Sequence, residues 1–399
     1  MTLVLDMTAA DAVAHADAGS PVTVALAVGF DEIEATWRAL ETTTVSSGYR
    51  SFDWQSRFHR HLGDGGTPCL ALLGDRPDAP RAILPFVVER SALGGVASFI
   101  GDKHANFGMG LWQRDFAAAM TGPLLTGALR EIARRSPARI DLFRLANQPA
   151  VWDGMANPFL ALPHQPSPSF GYHLALEPDA DAVLGRVVSS NSRRKLKKKE
   201  RNLAETGPVS FRVAATPAEV ERFTDQFLAF KAVRFEALGI ANVFGTPGMR
   251  EFIIGAATDG LGSPTPAIEL CALMVGDEPI AFFGGAISRN RYSGMFNAMT
   301  PGPLMKDSPG ELLLHHLIRH CCERGLAVFD LGAGEAQYKS NLCDGQDALF
   351  DQFIPMTLRG HVAANGLSLA AQAKRRVKQS PRLWSLVTKL RRARGRTES

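Results

Sequence analysis

The feature that most constrains the fold is an order of strands and helix that occurs twice along the 399-residue chain. In each half, two apolar runs typical of strands flank a Gly-Asp turn, at Gly74-Asp75 and at Gly276-Asp277. A helical stretch and a further strand follow the hairpin in both halves. We interpret the repeated order as a diverged duplication. Chance is the alternative, because hairpin turns favour glycine and aspartate in any protein.

Length and composition predict two ordinary globular domains. The chain exceeds a single core, and 45% apolar with 21% charged residues excludes a disordered, collagen-like or coiled-coil chain. No apolar run reaches the roughly eighteen residues of a membrane span. The start of the chain holds Asp6, Asp11 and Asp17 but no early lysine or arginine, so we expect no secretory signal. An odd number of cysteines without metal-like spacing predicts neither disulfides nor a zinc site, and favours the cytoplasm.

The hydrophobic pattern predicts an alternation of strands and helices. The predicted strands are 22–28, 68–73, 81–89, 139–145, 172–176, 209–213, 267–275, 280–288, 292–299 and 327–331. The predicted helices are 31–40, 116–135, a basic helix after Ser189, 218–238 and 309–324. A proline-rich stretch between residues 149 and 168 is typical of a linker or of an irregular excursion.

Positive charge is concentrated in two segments. Residues 193–201 hold seven basic residues and one acid, and residues 374–396 hold ten basic residues and no acid. These segments contribute +6 and +10, so the remainder carries 4 − 16 = −12 of the net charge of +4. An acidic body with two basic segments indicates an anionic partner for those segments.

The second basic segment also carries an apolar stripe at helical spacing. Leu383, Leu386, Val387 and Leu390 share one face of a predicted helix, and Trp384 lies beside them. A basic amphipathic helix with a tryptophan is typical of an anionic membrane surface. The alternative is a last helix docked on its own domain. Nucleic acid is the less favoured partner, because no aromatic residues interleave with the basic runs to stack on bases.

The start of helix 309–324 is a candidate pyrophosphate site. Ser308 is a suitable N-cap, Pro309 suits the first helical position, and Glu311 would complete a capping box. A helix start attracts anions, and Lys306 adds a positive charge beside it. The alternative is a plain cap, since the carboxylate of Glu311 opposes an anion.

The turn after strand 327–331 is the second candidate site. Its sequence FDLGAGEAQYK places Glu335, Tyr338 and Lys339 directly after a buried strand. A carboxylate there could remove a proton, and a phenol or ammonium could stabilise an oxyanion. A solvated turn is the alternative. We expect Asp330 to orient the turn, and Cys343 to be an inert thiol because no His/Asp pair accompanies it.

Four segments together resemble a known family. SPGELLL followed by FDLGAGEAQYK is similar to the C-terminal part of the CelD-like GNAT acyltransferases of bacterial polysaccharide clusters. These enzymes are related in fold to the Fem peptidoglycan aminoacyltransferases. FIGDKHANFGMGLW, SSNSRRKLKKKERNLAETG and FKAVRFEALG resemble further family segments in the same order. The resemblance covers most of residues 20–360.

The resemblance implies an α+β fold with two tandem GNAT-like domains around a shared cleft. The implied domains are an N-terminal domain at 1–188, a catalytic domain at 189–365 and a basic tail at 366–399. Such enzymes transfer an acyl group from a thioester, usually of coenzyme A, to an amine without a covalent intermediate. Acyl-CoA would therefore be a co-substrate, and no cofactor would be bound permanently.

By match of motif, the resemblance also implies site residues. Lys339 and Tyr338 correspond to the aromatic-Lys pair of the cleft, and Lys306, Ser308 and Gly310 lie where a GNAT enzyme holds pyrophosphate. His104 and Asn106 belong to the polar cluster of the first domain. Lys231 and Arg234 lie on the facing helix, as substrate-binding candidates. Glu335 and His104 are the candidates for the general base. LMKDSPG replaces the usual glycine-rich phosphate loop, which leaves the donor open.

The leading hypothesis is an acyl-CoA-dependent N-acyltransferase acting on a primary amine of a membrane-associated acceptor. The acceptor is an amino sugar of a lipid-linked polysaccharide precursor or a sphingoid base that yields an N-acyl lipid. An apolar tunnel would favour the lipid, and a shallow polar groove the sugar. A tRNA-dependent aminoacyltransferase of the Fem type and a non-catalytic GNAT-fold binding module are the alternatives. We expect a cytoplasmic protein attached peripherally to the inner face of the membrane.

Overall fold

A computed structural model describes residues 22–63, 65–101 and 104–380. The strands of the first half are β1 (Thr23–Ala27), β2 (Thr67–Arg76), β3 (Ala79–Ser91), β4 (Gly94–Phe99), β5 (Leu111–Trp112), β6 (Leu142–Pro149), β7 (Val151–Trp152), β8 (Met155–Ala156), β9 (Gln165–Pro166) and β10 (Gly171–Ala175). The strands of the second half are β11 (Val209–Val213), β12 (Glu269–Val275), β13 (Glu278–Ser288), β14 (Arg291–Met299), β15 (Val328–Ala333), β16 (Gly345–Asp347) and β17 (Leu349–Pro355). The helices are α1 (Glu34–Thr43), α2 (Phe52–Leu62), α3 (Arg114–Ala119), α4 (Gly122–Arg135), α5 (Ala180–Val187), α6 (Ser190–Ala204), α7 (Pro217–Ala237), α8 (Met249–Asp259), α9 (Pro309–Glu323), α10 (Gln337–Leu342) and α11 (Leu358–Gln379).

The strands form two large sheets with the same internal order. The first sheet has the order β1-β2-β3-β4-β6-β17-β9, and the second has the order β11-β12-β13-β14-β15-β10-β16. In both sheets the fourth and fifth strands pair in parallel, β4 with β6 and β14 with β15. In both halves a helix lies in the connection between those strands, α4 in the first and α9 in the second. The position-by-position agreement confirms the predicted α+β fold with tandem domains.

Each sheet receives one strand from the other half of the chain. β10 precedes the predicted boundary at residue 188 but pairs with β15 in the second sheet. β17 follows the second domain's strands but pairs with β6 in the first sheet. Helix α11 then packs on β17 and β6, where Ala363 and Ala364 contact Leu142. The two sheets therefore do not follow the predicted domain bounds of 1–188, 189–365 and 366–399, because each sheet takes a strand from across the boundary.

One predicted helix is divided in two, and the proline-rich stretch adopts one of the two structures expected of it. The predicted helix 116–135 is divided into α3 and α4 at Thr121, whose hydroxyl accepts from the amide of Leu124 and begins a new helix. The proline-rich stretch is an irregular excursion packed on the first domain. Phe159 within it is fully buried in the first core, and the Asn157 side chain accepts from the Phe159 amide.

The tail stripe at Leu383, Leu386, Val387 and Leu390 lies outside the described residues. Among the described helices, none has the apolar length that a bilayer span requires. Between residues 22 and 380, the described histidine, cysteine and acidic side chains form no cluster of three that could hold a metal ion. The adjacent Cys321 and Cys322 are buried in the second core, as expected of small apolar side chains.

Candidate active site

The central strands of the second sheet separate after a short parallel contact. β14 and β15 pair over three residues on each strand, Arg291–Ser293 with Val328–Asp330. Beyond this contact the side chain of Asn106, from the first domain, bridges the two strands. Its Nδ2 donates to the carbonyl of Gly294 at 3.0 Å, and its Oδ1 accepts from the amide of Ala333 at 3.3 Å. The first domain therefore closes the base of the gap between the strands.

Tyr49 completes the bridge. Its buried hydroxyl donates to the carbonyl of Gly294 at 2.9 Å and accepts from Asn106 Nδ2 at 2.6 Å. Gly332 lies against Asn106 with φ of +75°, and a Cβ there would approach the Asn106 side chain to 2.4 Å. The bridge thus requires glycine at position 332 for space and for backbone conformation. These bonds occupy the side chain of Asn106 in joining the strands, and its role in substrate binding stays a prediction.

The turn after β15 is held from inside by Asp330 and Lys339. The carboxylate of Asp330 accepts from the amide of Gly332 at 2.6 Å, as expected of a residue that orients the turn. Lys339 is buried, and its Nζ donates to the carbonyls of Gly332 and Ala333 at 3.2 and 3.0 Å. Burial raises the pKa of Asp330 to about 6 and lowers the pKa of Lys339. Lys339 therefore stabilises the backbone of the turn from its buried side.

The side chain of Tyr338 projects away from that of its buried neighbour Lys339. It is exposed, and the side chain of Asn297 on β14 lies close enough to its phenol to lower the phenol's pKa. Tyr338 thus reaches from α10 across the gap to the separated part of β14. Partial burial raises the pKa of the phenol, so it stays protonated at neutral pH and can donate a hydrogen bond. The Arg234 side chain lies close enough to oppose this rise electrostatically.

Glu335 has its partners on the side of α11. Its carboxylate accepts from the amide of Phe170 at 3.3 Å and from the hydroxyl of Ser169 at 3.5 Å. It also forms an ion pair with Lys378 of α11 at 3.3 Å. These contacts tie the turn to the entry of β10 and to α11. They give Glu335 a structural role, which argues against its use as the general base.

Lys231 lies among phenylalanines on the opposite face of the second sheet from α9. Its Nζ lies 4.9 Å from the ring centre of Phe244, 5.6 Å from that of Phe235 and 5.8 Å from that of Phe227. Burial, aided by the neighbouring Arg234, lowers the pKa of Lys231 to about 8. The ring of His104 also approaches Phe244, at 6.2 Å between ring centres. Two of the predicted site residues from different domains therefore share one aromatic cluster.

The predicted pyrophosphate turn has a different geometry from the expected cap. Ser308 adopts a left-handed conformation with φ of 52°, and its side chain does not cap α9. The predicted capping box is therefore wrong, although α9 begins at Pro309 as expected. The Ser308 hydroxyl instead accepts from Lys199 Nζ at 2.5 Å. Gly310 leaves room for the side chain of Met299 on β14, because a Cβ at position 310 would lie 2.9 Å from Met299 Cε. The side chain of Lys306 is exposed.

The basic helix α6 lies beside this turn. Besides the contact of Lys199, Asn202 Nδ2 donates to the carboxylate of Asp307 at 3.0 Å. Leu196 and Leu203 anchor the helix in the second core. Its remaining face exposes Arg194, Lys195, Lys197, Lys198 and Arg201. The helix thus brings positive charge to the turn, an arrangement that the sequence did not predict.

The corresponding gap of the first sheet is filled by the chain itself. Between β4 and β6, the buried guanidinium of Arg50 donates to the carbonyls of Ile100 and Phe107 at 2.6 and 3.0 Å. The amide of Gly108 bonds the carbonyl of Asn147 on β6. These contacts fill the gap of the first sheet with protein groups. The second sheet is therefore the better candidate for the reaction.

A cavity of ≈ 540 Å³ lies at the other end of β14 and β15, where both strands begin. Arg114 and Asp153 of the first half, His173 of β10 and Arg291 of β14 line it. Arg291 stacks on Trp152, with 4.1 Å between its guanidinium and the ring centre, and pairs with Asp153. The cavity is thus separated from Tyr338 by the length of β14.

A comparison with known protein families matches the segment of the chain that contains this site. Residues 190–340 match a family described as acetyltransferase (GNAT) domain, a range that includes α6, β14, α9, β15 and the turn up to Ser340. No curated protein matches the sequence. Among solved structures, FemX is 9% identical, with a TM-score of 0.57 and coverage of 85% of this chain and 98% of that chain.

Two further structures have similar scores. A conserved protein of unknown function from Bacteroides thetaiotaomicron VPI-5482 is 11% identical, with a TM-score of 0.53 and coverage of 83% of this chain and 100% of that chain. The C-terminal domain of a putative lysylphosphatidylglycerol synthetase from Agrobacterium fabrum is 12% identical, with a TM-score of 0.51 and coverage of 86% and 96%. Such low identities establish the fold alone.

Fold and domain match together define the class of protein. The chain has a tandem GNAT fold, and its second domain makes it an acyltransferase. The resemblance to the CelD-like group is finer than these matches reach and stays a prediction.

Proposed function

We propose that the protein transfers an acyl group from acyl-CoA to a primary amine of a membrane-associated acceptor. The observation that carries the proposal is the exposed side chain of Tyr338, whose phenol approaches Asn297 where β14 and β15 have separated. A thioester placed in this gap would have the exposed edge of β14 on one side and a protonated phenol on the other. Lys306, Ser308 and Gly310 would then face the phosphates of the donor, with Lys199 and the rest of α6 supplying positive charge.

The chemistry requires two protons to leave the acceptor nitrogen and one to reach the departing sulfur. The acceptor ammonium loses its first proton to a base, and the nitrogen then attacks the thioester carbonyl. The carbon–sulfur bond breaks and the nitrogen loses its second proton as the amide forms. Tyr338 would donate a hydrogen bond or its proton to the departing sulfur. We assign removal of the ammonium proton to Lys231, because its pKa of about 8 leaves part of it neutral near pH 7 to 8. His104, on the same aromatic cluster, is the second candidate.

The surroundings of Lys231 favour a long-chain amine over an amino sugar. Phe227, Phe235 and Phe244 surround the ammonium, and no carboxylate contributes to its pKa. The following turn exposes the large apolar side chains of Leu238 and Ile240. A sugar acceptor would leave its hydroxyl groups against these rings without hydrogen bonds, which is costly. An amine with an apolar chain, such as a sphingoid base, would bury that chain instead.

The direct test is release of free thiol from acyl-CoA in the presence of amines. We expect turnover with a sphingoid base to exceed turnover with glucosamine, and Tyr338→Phe to lower it at least tenfold, about 1.4 kcal/mol of barrier. Tyr172→Phe is the matched control, because Tyr172 lies on β10 of the same sheet. No thiol release with any amine would contradict the proposal. Equal turnover of Tyr338→Phe and the parent would remove the phenol from the reaction.

A second candidate is aminoacyl transfer from tRNA, as in the Fem type. The exposed basic face of α6 next to the Asp307–Ser308 turn is the observation that favours it. RNA phosphates would be the partner of this face, and binding would weaken steeply with salt. Aminoacyl transfer from charged tRNA, together with no activity from acyl-CoA, would establish this candidate in place of the first.

A further inference from the structure

Helix α11 has two apolar faces, and the fold covers one of them. The covered face is built from small residues: Gly360, Ala363 and Ala364 are buried against β6 and β17. The opposite face carries three large aliphatic residues. Leu358 is 87% exposed, Val362 77% and Leu369 67%, values well above those of the other exposed aliphatic side chains of the described residues.

These three residues form a single stripe. They are separated by four and by seven residues, which are about one and two turns of an α-helix, so they project in one direction. Leu93, in the turn between β3 and β4, adds a fourth exposed aliphatic residue near the start of the helix. That turn is fixed to α11 by Arg359, whose guanidinium donates to the carbonyl of Ala92 at 3.0 Å.

The helix is also strongly basic. It contains Arg359, Lys374, Arg375, Arg376 and Lys378 and no aspartate or glutamate. Lys378 is paired with Glu335, and Lys374 and Arg376 are exposed. Arg376 lies seven residues after Leu369, in line with the stripe. An apolar stripe bordered by cations is complementary to a surface that is apolar inside and anionic outside.

We propose that the stripe of Leu358, Val362 and Leu369, with the basic end of α11, is a docking face for an anionic lipid bilayer. A second copy of the chain is a poorer occupant, because it would bring two helices of like charge together. The C-terminal residues 381–399 are a poorer occupant for the same reason, since they add six lysines or arginines and one glutamate. The inference concerns contact with a lipid surface and not the chemistry in the gap between β14 and β15, so it stands apart from the reaction proposed above.

The test is co-sedimentation of the full chain with lipid vesicles. We expect binding to phosphatidylcholine vesicles that contain phosphatidylglycerol and weaker binding to phosphatidylcholine alone, with the difference reduced by salt. The triple variant Leu358→Ser/Val362→Ser/Leu369→Ser should lower the partition coefficient at least tenfold. Val28→Ser is the matched control, since Val28 is an exposed aliphatic residue outside α11 and should bind as the parent does.

Three further measurements keep the outcome unambiguous. Thermal unfolding of the triple variant should match the parent, because the three side chains are exposed. Acyl transfer to a short soluble amine should also match, which separates failure of docking from failure of the proposed reaction. Equal vesicle binding by the triple variant and the parent, or no preference for phosphatidylglycerol, would overturn the proposal. A concentration-dependent dimer that the triple variant abolishes would overturn it in favour of a second copy.

Discussion

Asn106 offers the sharpest test of how the first domain supports the site. Its side chain makes three hydrogen bonds: to the carbonyl of Gly294, to the hydroxyl of Tyr49 and from the amide of Ala333. A hydrogen bond of this kind contributes about 1 kcal/mol net, and the amide and carbonyl left behind are partly buried. Asn106→Ala should therefore lower the free energy of unfolding by about 3 kcal/mol.

The same substitution should impair turnover, because the bridge sets the separation of β14 and β15. We expect a loss of about tenfold, equal to about 1.4 kcal/mol of barrier. Urea unfolding and steady-state thiol release measure the two effects. Asn106→Asp keeps the acceptor for Ala333 but turns a carboxylate oxygen towards the carbonyl of Gly294, so it should be no more stable than Asn106→Ala.

Asn191→Ala is the matched control, since Asn191 is exposed on α6. Its unfolding free energy should stay within about 0.5 kcal/mol of the parent. The reasoning fails if Asn106→Ala unfolds at the parent's urea concentration and keeps the parent's turnover. Loss of stability with full turnover would leave Asn106 a structural bridge with no effect on the reaction.

Two other predictions concern the lysines. Lys339→Met should lower turnover at least tenfold while the protein stays folded, because the carbonyls of Gly332 and Ala333 lose their donor. The control is Lys374→Met, which changes an exposed lysine of α11. Equal turnover of the two variants would show that Lys339 does not shape the site. For Lys231, the folded pKa of about 8 lies below the ordinary 10.5, so the unfolded chain binds more protons between these values and stability should rise with pH across that window. The rate should rise with pH through about 8 if Lys231 is the base, and a rate that does not change across that range would exclude Lys231 from this role. Lys231→Met should abolish the stability rise, and a variant that keeps it would show that another group titrates.

The strand and helix order was largely predictable, because local periodicity determines it. The hairpin β12–β13, the strand β11 and the start of α9 at Pro309 agree closely with the pattern. Helix α2 was not predicted although its buried residues follow helical spacing, and helix α8, which packs against it, was not predicted either. The side-chain cap at Ser308 was wrong because Lys199, distant in sequence, bonds the hydroxyl that a local cap would use.

Only some of the residues of the candidate site could be predicted from the sequence. The motif placed Tyr338 and Lys339 next to each other, but adjacent residues of a short helix project differently, so one reaches Asn297 and the other is buried beneath the turn. Tyr49 and Asn297 carry no local signal of their roles. Their contacts depend on how β14 meets the first domain, which is a property of tertiary packing.

The exchange of β10 and β17 has a consequence for how the molecule can be divided. A cut at residue 188 would leave the downstream fragment without the neighbour of β15, and the upstream fragment without the neighbour of β6. Each piece would present an unpaired strand edge in the middle of its sheet, where aggregation begins most readily. We therefore expect neither half to fold on its own.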